Sequence, residues 1–382
     1  MKAPIYLDYN ATTPVAPEVV DAIQPFLVEH FGNPSSSHVY GLSARQAVAN
    51  ARASVAELIH TKQNEIVFTG SATEANNLTL LGVASALGRT RRHIVISAIE
   101  HPAVMQPALH LREMGWDLTV VSVDGYGRVD PHAVAAAVRP DTGLVSIMHA
   151  NNEVGTIQPI AEIARLIKST GVLFHTDAAQ SAGKVELDVD MLGVDLLTLA
   201  GHKFYAPKGI GALYVRSGTP INPILYGADQ EHGLRPGTEN VPLVVGLGAA
   251  AKLAREQLSV ATEKLRALRD ALHERLATAV PSLVLNGHPT ERLPNTLHIS
   301  FPGIVGRELL TRVTGQVAAS VGSACHSEMD AVSGVLAAMG CDANRARGAV
   351  RLSVGWMSTP EEIEAAATAL SEGVNDLLIR RR

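Results

Sequence analysis

Short apolar runs rich in β-branched residues alternate with longer amphipathic stretches through the first part of the chain. The runs are short enough for strands, and the stretches between them carry apolar residues at helical spacing. Strands that alternate with helices in this way predict a mostly parallel sheet covered by helices on both faces. The predicted strands are residues 65–69, 93–97, 118–123, 144–150, 172–177, 195–200 and 212–215, and the predicted helices between them are residues 74–87, 103–114, 131–138 and 160–169.

The N-terminal region lacks this alternation. Residues 7–14 are too polar and too rich in turn-forming residues for a core strand, and they predict an arm that crosses a surface. Residues 17–29 have a helical pattern with Pro17 near the start. After a Gly-, Pro- and Ser-rich loop, residues 43–59 predict an alanine-rich helix with Ser43 as its N-cap.

The pattern of apolar and polar residues changes after the predicted sheet. Residues 243–277 predict a long Ala- and Leu-rich helix with a break at 257–259. Short strands and helices follow, which indicates a smaller α+β domain packed on the first. We therefore predict a large domain at residues 15–255 and a small domain formed by residues 1–14 and 256–382. The predicted elements that follow the long helix are strands at 283–286, 296–301, 317–321 and 349–354 and a closing helix at 360–379.

Composition narrows the class of protein. Of 382 residues, 46% are hydrophobic and 18% are charged, which is typical of a soluble globule with one large and one smaller domain. A net charge of −5 favours neither nucleic acid nor an anionic membrane surface as a partner. No apolar leader opens the chain, no apolar stretch reaches membrane-spanning length, and two cysteines argue against a secreted disulfide scaffold. We expect a cytoplasmic protein. The fifteen histidines show no His-Glu-x-x-His motif and no paired Cys spacing accompanies them, so no metal site is predicted.

A lysine and an aspartate mark the ends of two predicted strands. Lys203 lies where the run at 195–200 gives way to a Gly- and Pro-rich loop, and Asp177 closes the run that precedes it. A charged lysine at the end of a buried strand costs free energy, and condensation with an aldehyde as a Schiff base removes that cost. An ordinary surface lysine is the alternative for Lys203 alone. The aspartate disfavours it, because pyridoxal phosphate (PLP) needs a carboxylate beside its pyridinium nitrogen.

Polar residues follow other predicted strands at the same edge. Residues 70–77 join a strand to a helix, and the helix N-terminus with the Thr73 hydroxyl suits a phosphate; a capping box of Ser71 and Glu74 is a compatible alternative. The imidazole of His101 is a candidate for stacking on a cofactor ring and for acid–base work. Amides at residues 151–152 and at Gln180 are candidate donors to the ring oxygen. Their convergence predicts a ligand crevice.

A second candidate focus lies in the predicted small domain. Cys325 is flanked by small residues and by His326 in a loop after a predicted strand, which is typical of a nucleophile. A buried structural thiol or a bridge to Cys341 are the alternatives; the polar flanks and a reducing compartment disfavour them. Arg351 lies in an otherwise apolar strand. It is either a solvated edge charge or a guanidinium that clamps a substrate carboxylate through two hydrogen bonds.

Taken together, these motifs resemble the cysteine desulfurase family of the NifS and IscS type, which are PLP enzymes of fold type I. The resemblance runs nearly end to end and in order. It therefore implies an α/β large domain, with a mostly parallel mixed sheet between helices, and a smaller α+β domain. The similar segments are residues 8–14, 32–36, 72–77, 100–101, 151–155, 176–180, 201–203, 237–238, 322–325 and 351–355.

The resemblance implies a role for each residue around the cofactor ring. Lys203 holds PLP as a Schiff base and later moves protons. Asp177 pairs with the pyridine nitrogen, and His101 stacks on the ring as a further catalytic residue. Asn152 and Gln180 bond the ring oxygen.

The resemblance also implies how the phosphate is held. Ala72 and Thr73 at a helix N-terminus bind it together with His202, and Thr238 reaches it from the other subunit of a homodimer. The family usually has a serine hydroxyl at the position two residues before His202, and this chain has Ala200 there.

The implied reaction takes sulfur from L-cysteine and leaves L-alanine. Arg351 and Asn152 bind the substrate, and Cys325 attacks its sulfur to become a persulfide that an acceptor protein can discharge. Local features, among them Tyr9-Asn10 and residues 235–240, are similar to the selenocysteine lyase branch, so release of selenium from L-selenocysteine is the alternative function.

Overall fold

The computed structural model describes residues 3–322 and 333–380. The predicted nucleophile Cys325 and its neighbour His326 lie outside these residues.

The strands are β1 (Ile5–Tyr6), β2 (Ile66–Thr69), β3 (His93–Ser97), β4 (Asp117–Val121), β5 (Thr142–Ser146), β6 (Leu173–Asp177), β7 (Leu196–Ala200), β8 (Gly211–Val215), β9 (Val284–Asn286), β10 (Thr296–Ser300), β11 (Val317–Ala318) and β12 (Ala349–Ser353). The helices are α1 (Pro17–Val28), α2 (Val39–Leu58), α3 (Ala72–Leu87), α4 (Pro102–Glu113), α5 (Pro131–Ala137), α6 (Ile160–Ile167), α7 (Val189–Leu192), α8 (Val241–Ala279), α9 (Gly306–Arg312), α10 (Gly334–Ala338), α11 (Ala343–Arg347) and α12 (Pro360–Arg380).

The large sheet has seven strands in the order β2-β8-β7-β6-β5-β3-β4. All neighbours are parallel except β8, which is antiparallel to both β2 and β7. Six of these strands, all except β8, therefore run in the same direction and end at the same edge, where the loops that follow them lie. The predicted fold class, a mostly parallel mixed sheet with helices plus a smaller α+β part, is confirmed.

A second, smaller sheet has the order β12-β10-β9 and is antiparallel throughout. Two apolar clusters bear on the division of the chain. The larger one packs on one face of the large sheet, whose other face has a separate cluster, and the second one contains Leu297 and Ile299 of β10 together with Val350 and Leu352 of β12. The division of the chain at residue 255 remains a prediction, and the two clusters support it.

Helix α8 connects the two clusters. Its first half contributes Val244 and Leu247 to the larger cluster, and its second half contributes Leu268 and Leu272 to the smaller one. The predicted break at 257–259 is wrong, because the helix is continuous over 39 residues. Gln, Leu and Ser are all compatible with a helix interior, and the loss of apolar periodicity there reflects the passage from one core to the other.

The start of helix α2 also differs from the prediction. The helix begins at Val39, and the cap is His38, whose Nδ1 accepts a hydrogen bond from the backbone N–H of Gly41 at 3.3 Å. Ser43 is thus inside the first turns. The predicted cap Ser43 is therefore wrong, and His38 provides the acceptor instead.

The N-terminal arm is buried, so the prediction of a surface arm is wrong. Leu7, Asn10 and Thr13 are 0%, 1% and 3% exposed. Their polarity is satisfied internally: the N–H of Asn10 donates to Ser353 Oγ, and the N–H of Thr13 donates to the carbonyl of His202. The arm therefore contacts both parts of the fold. Within the described residues, no helix is long and apolar enough to cross a membrane.

Close packing of helices α2 and α8 depends on Gly248. A Cβ atom at this position would lie 2.5 Å from the Cα of Ala51 and 2.6 Å from its Cβ. We expect Gly248→Ala to reduce the free energy of unfolding by about 1–3 kcal/mol through overpacking, measured by urea unfolding. Exposed Lys252→Ala on the same helix is the control and should stay within about 0.5 kcal/mol. Unchanged stability of Gly248→Ala would contradict this packing.

Candidate active site

A cavity of about 550 Å³ opens at the edge where the six co-directional strands end. This volume is in the usual range for a small-molecule or cofactor site. Thr238 is exposed and is not among its lining residues in the described part of the chain. Nine of the predicted site residues line the cavity: Ala72, Thr73, His101, Asn152, Asp177, Gln180, His202, Lys203 and Arg351.

Lys203 reaches the cavity from the turn after β7. Its Nζ donates to the backbone carbonyls of Asn10 at 2.6 Å and Ala11 at 2.8 Å. Burial, assisted by the positive charge of Arg351, lowers the pKa of Lys203 to about 8. A substantial fraction of the amine is therefore neutral near physiological pH, and a neutral amine is the form that condenses with an aldehyde.

Asp177 lies at the carboxyl end of β6 and is 6% exposed. Its Oδ2 accepts from Asn76 Nδ2 at 2.7 Å, and its Oδ1 accepts from the N–H of Ala179 at 2.9 Å. Asn76 comes from helix α3 and was assigned no role by the sequence interpretation, although it belongs to the motif at 70–77. Its hydrogen bond holds one oxygen of the Asp177 carboxylate in place.

The N-terminus of helix α3 forms one end of the cavity. Ser71 caps it by accepting from the N–H of Glu74 at 3.1 Å, as predicted. Glu74 does not close the capping box: its side chain accepts from the N–H of Gly70 and pairs with Arg235 at 2.9 Å. A Cβ atom at Gly211 would lie 2.8 Å from the backbone of Ser71, so a glycine in β8 is required for this close approach. The first N–H groups of the helix remain available to an anion.

Two histidines beside the cavity are neutral. His101 caps helix α4, with Nδ1 accepting from the N–H of Ala103 at 3.1 Å, and burial lowers its pKa below 6.5. His202 Nδ1 lies 3.1 Å from Thr12 Oγ1, and burial lowers its pKa to about 4. Because Nδ1 of His101 is an acceptor, the ring proton is assigned to Nε2.

Asn10 of the N-terminal arm links several site residues and was not identified from the sequence. Its carbonyl accepts from Lys203 Nζ and from Gln180 Nε2 at 3.0 Å. Its Nδ2 donates to the carbonyl of Asn152 at 3.2 Å and to Thr296 Oγ1 at 2.8 Å. Because the arm was expected to cross a surface, Asn10 was not predicted to have partners inside the fold.

Arg351 is 3% exposed and faces the cavity from β12. Its Nη2 donates to Asp8 Oδ1 at 2.7 Å, and its Nη1 donates to the carbonyl of Asn152 at 3.0 Å. Its Nε is buried without a hydrogen-bond partner among the described residues. The guanidinium is thus oriented by one carboxylate, Asp8, and retains hydrogen-bonding capacity for a second.

These groups fit the chemistry of PLP. Lys203 would supply a partly neutral amine for the aldehyde, Asp177 a buried carboxylate for the pyridinium nitrogen, and helix α3 an N-terminus for the phosphate. The cavity also contains buried polar atoms without partners in the described part of the chain, Asn76 Oδ1 and Arg351 Nε. Fold and site together define a PLP-dependent enzyme of fold type I.

Comparison with known proteins identifies the family. Residues 5–366 match the aminotransferase class-V family. The chain is 43% identical to the cysteine desulfurase IscS of Dictyoglomus turgidum over 99% of its own length and 96% of that protein. It is 44% identical to the IscS of Methanosarcina thermophila, with 98% and 92% covered. A solved NifS-like protein superposes with a TM-score of 0.92 at 37% identity, covering 98% of this chain and 100% of that one. The chain belongs to the class-V aminotransferases, within the cysteine desulfurases.

Glu100, next to His101, is a further cavity residue that was assigned no role. Its Oε1 accepts from Ser97 Oγ at 2.6 Å and from the N–H of Met148 at 2.9 Å, whereas Oε2 is buried without a partner in the described part of the chain. Burial raises the pKa of Glu100 to about 8. The side chain is therefore protonated near neutral pH.

The raised pKa of Glu100 predicts a pH dependence of stability. Above pH 4.5 the unfolded state releases this proton while the folded state retains it up to pH about 8, so the free energy of unfolding falls as pH rises between these values. Glu100→Gln does not titrate. We expect its stability relative to wild type to improve by on the order of 1–3 kcal/mol from about pH 5 to about pH 8, measured by urea unfolding.

Exposed Glu113→Gln on helix α4 is the matched control and should follow the wild-type pH profile. Parallel profiles of Glu100→Gln and wild type would show that Glu100 ionises normally.

Proposed function

We propose that the enzyme converts L-cysteine to L-alanine and transfers the sulfur to Cys325 as a persulfide. The observation that carries this proposal is the placement of the Lys203 amine, the Asp177 carboxylate and the Arg351 guanidinium around one cavity. The full-length relatives that share this family are named cysteine desulfurases. These relatives give no support to the selenocysteine lyase alternative.

Each residue has a task that its surroundings favour. Arg351, oriented by Asp8, binds the substrate carboxylate, and Asn152 lies beside it. Lys203, with a pKa of about 8, is suited to take a proton from the substrate and return it. His101 is neutral and lines the same cavity. When bound, PLP supplies an electron sink that stabilises negative charge on the substrate carbons.

The sulfur transfer balances without an external oxidant or reductant. The thiolate of Cys325 attacks the sulfur of cysteine, the new S–S bond forms, and the Cβ–S bond breaks. The electron pair of the broken bond stays with Cβ, which takes up a proton and becomes the methyl group of alanine. The cysteine of the enzyme is left as a persulfide, whose outer sulfur an acceptor protein or a thiol then removes.

The two cysteines of the chain provide a matched test. We expect Cys325→Ala to lose alanine and sulfide formation from L-cysteine by at least about 100-fold while it retains PLP, because no other thiolate takes the sulfur. Cys341 is partly buried, and burial raises its pKa, which reduces the thiolate fraction. Cys341→Ala should keep wild-type turnover. Retained activity of Cys325→Ala with loss in Cys341→Ala would reverse the assignment.

We also propose that the enzyme is a homodimer in which Thr238 completes the phosphate site of the partner. Thr238 is exposed and lies away from the lining of its own cavity. The segment from the end of α1 to the start of α2 exposes a series of large apolar side chains, and contiguous apolar patches of this kind are typical of interfaces. Phe31 and Tyr40 stack there with ring centroids 5.5 Å apart. The exposed residues of this segment are Leu27, Val28, Phe31, Val39, Tyr40 and Leu42.

The oligomeric state tests this interface. We expect Phe31→Glu to weaken the dimer by at least tenfold in sedimentation velocity and to lower PLP retention with it, because a charge in an apolar interface costs more than 1.4 kcal/mol. Met191 on helix α7 is 76% exposed outside this segment, and Met191→Glu should leave the dimer intact. A wild-type enzyme that is active and monomeric would rule out a shared site.

A further inference from the structure

Lys184 is a buried lysine that the reaction described above does not use. It is 5% exposed and lies in the turn after β6, four residues beyond Gln180. Burial, followed by the positive charges of Lys203 and Arg351, lowers its pKa to about 7. Among residues 3–322 and 333–380 no carboxylate lies within ion-pair distance of its amine. The fold alone does not explain the residue, since a methionine of similar length would fill this space without the cost of burying an amine.

Among the described residues, the side-chain amine of Lys184 donates hydrogen bonds to a single residue. Its Nζ donates to the backbone carbonyl of Gln180 at 3.0 Å and to the side-chain Oε1 of the same residue at 3.2 Å. The amine donates to the carboxamide oxygen, so this oxygen of Gln180 faces Lys184. The amide nitrogen is thereby directed to the opposite side.

That opposite side is the active-site cavity. Gln180 Nε2 donates to the carbonyl of Asn10 at 3.0 Å, and the same carbonyl accepts from Lys203 Nζ at 2.6 Å. The second hydrogen of the amide remains for a ligand, and Gln180 lines the cavity. Lys184 and Lys203 also line a common small cavity of about 10 Å³.

We infer that Lys184 is a positioning residue that holds the Gln180 carboxamide with its N–H₂ toward the cofactor and thereby controls the electronic state of bound PLP. Lys184 does not contact the reacting atoms. It acts through the amide, which donates to the ring oxygen of PLP and to the carbonyl that also accepts from Lys203. This inference rests on the proposed role of Gln180 in binding PLP.

A double-mutant cycle on the holoenzyme tests the inference. We expect Gln180→Leu to change the visible absorption spectrum of bound PLP, and Lys184→Met to change it in the same direction. Each variant should weaken PLP binding up to roughly tenfold in equilibrium dialysis, the effect of one hydrogen bond. In the Gln180→Leu background, Lys184→Met should cause no further change in the spectrum or in PLP affinity.

Three controls separate positioning from general stability. Exposed Lys208→Met removes a lysine close to the site and should change neither readout. Lys184→Met should unfold at no lower temperature than wild type without PLP, because it removes a buried amine that has no carboxylate partner in the described part of the chain. Lys184→Gln keeps one donor and should change the spectrum less than Lys184→Met does; an equal change overturns the inference.

The outcomes also distinguish this inference from the assignment on which it rests. An unchanged spectrum in Gln180→Leu overturns the proposed contact of Gln180 with PLP, and the inference with it. A changed spectrum in Gln180→Leu together with an unchanged one in Lys184→Met overturns the inference alone. Additive changes in the double variant show that Lys184 acts by another route and likewise overturn it.

Discussion

The desolvation of three cations in one crevice is the constraint on which the site depends. Lys203, Lys184 and Arg351 are all withdrawn from water, and they act on one another: Arg351 lowers the pKa of both lysines. Hydrogen bonds to backbone carbonyls offset the desolvation of the two lysines, and the Asp8 carboxylate offsets that of Arg351. A crevice of this kind favours anionic ligands, and the phosphate of PLP and the carboxylate of an amino acid are both anions. The same desolvation lowers the pKa of Lys184 to about 7 and that of Lys203 to about 8. For Lys203, a pKa near neutral pH is what acid–base and Schiff-base chemistry requires.

The N-terminal arm is the mechanical link between the two parts of the fold. β1 pairs with β11, the carbonyl of Leu7 accepts from Ser353 on β12, and the carbonyl of Asn10 accepts from Lys203 beyond β7. The arm thus connects the small sheet to Lys203 through hydrogen bonds. Helix α8 makes the second connection, since one continuous helix contributes to both apolar clusters. With these two links, the guanidinium of Arg351 and the amine of Lys203 face one cavity although they come from different sheets.

The neutral state of several side chains follows from the same burial. His101 and His202 have lowered pKa values, and Glu100 has a raised one, so each is uncharged near neutral pH. Asp177 keeps two hydrogen-bond donors, Asn76 and the N–H of Ala179, around its carboxylate. The site therefore presents few full charges, each with a defined partner, against a background of neutral dipoles. Such an arrangement is suited to stabilising charge that develops on a substrate.

The sequence by itself determined the order of strands and helices, the sheet type and the residues at the strand ends. Apolar β-branched runs specify buried parallel strands, and the ends of such strands necessarily meet at one edge, so Asp177, His101 and Lys203 could be placed together without coordinates. Only the tertiary structure decided the roles of Asp8, Asn10, Glu100 and Lys184. Asp8 and Asn10 act on partners more than a hundred residues away, and polarity alone does not distinguish a solvated arm from one whose polar groups are satisfied internally. Glu100 and Lys184 have unusual protonation because of burial, and burial depends on how the elements pack.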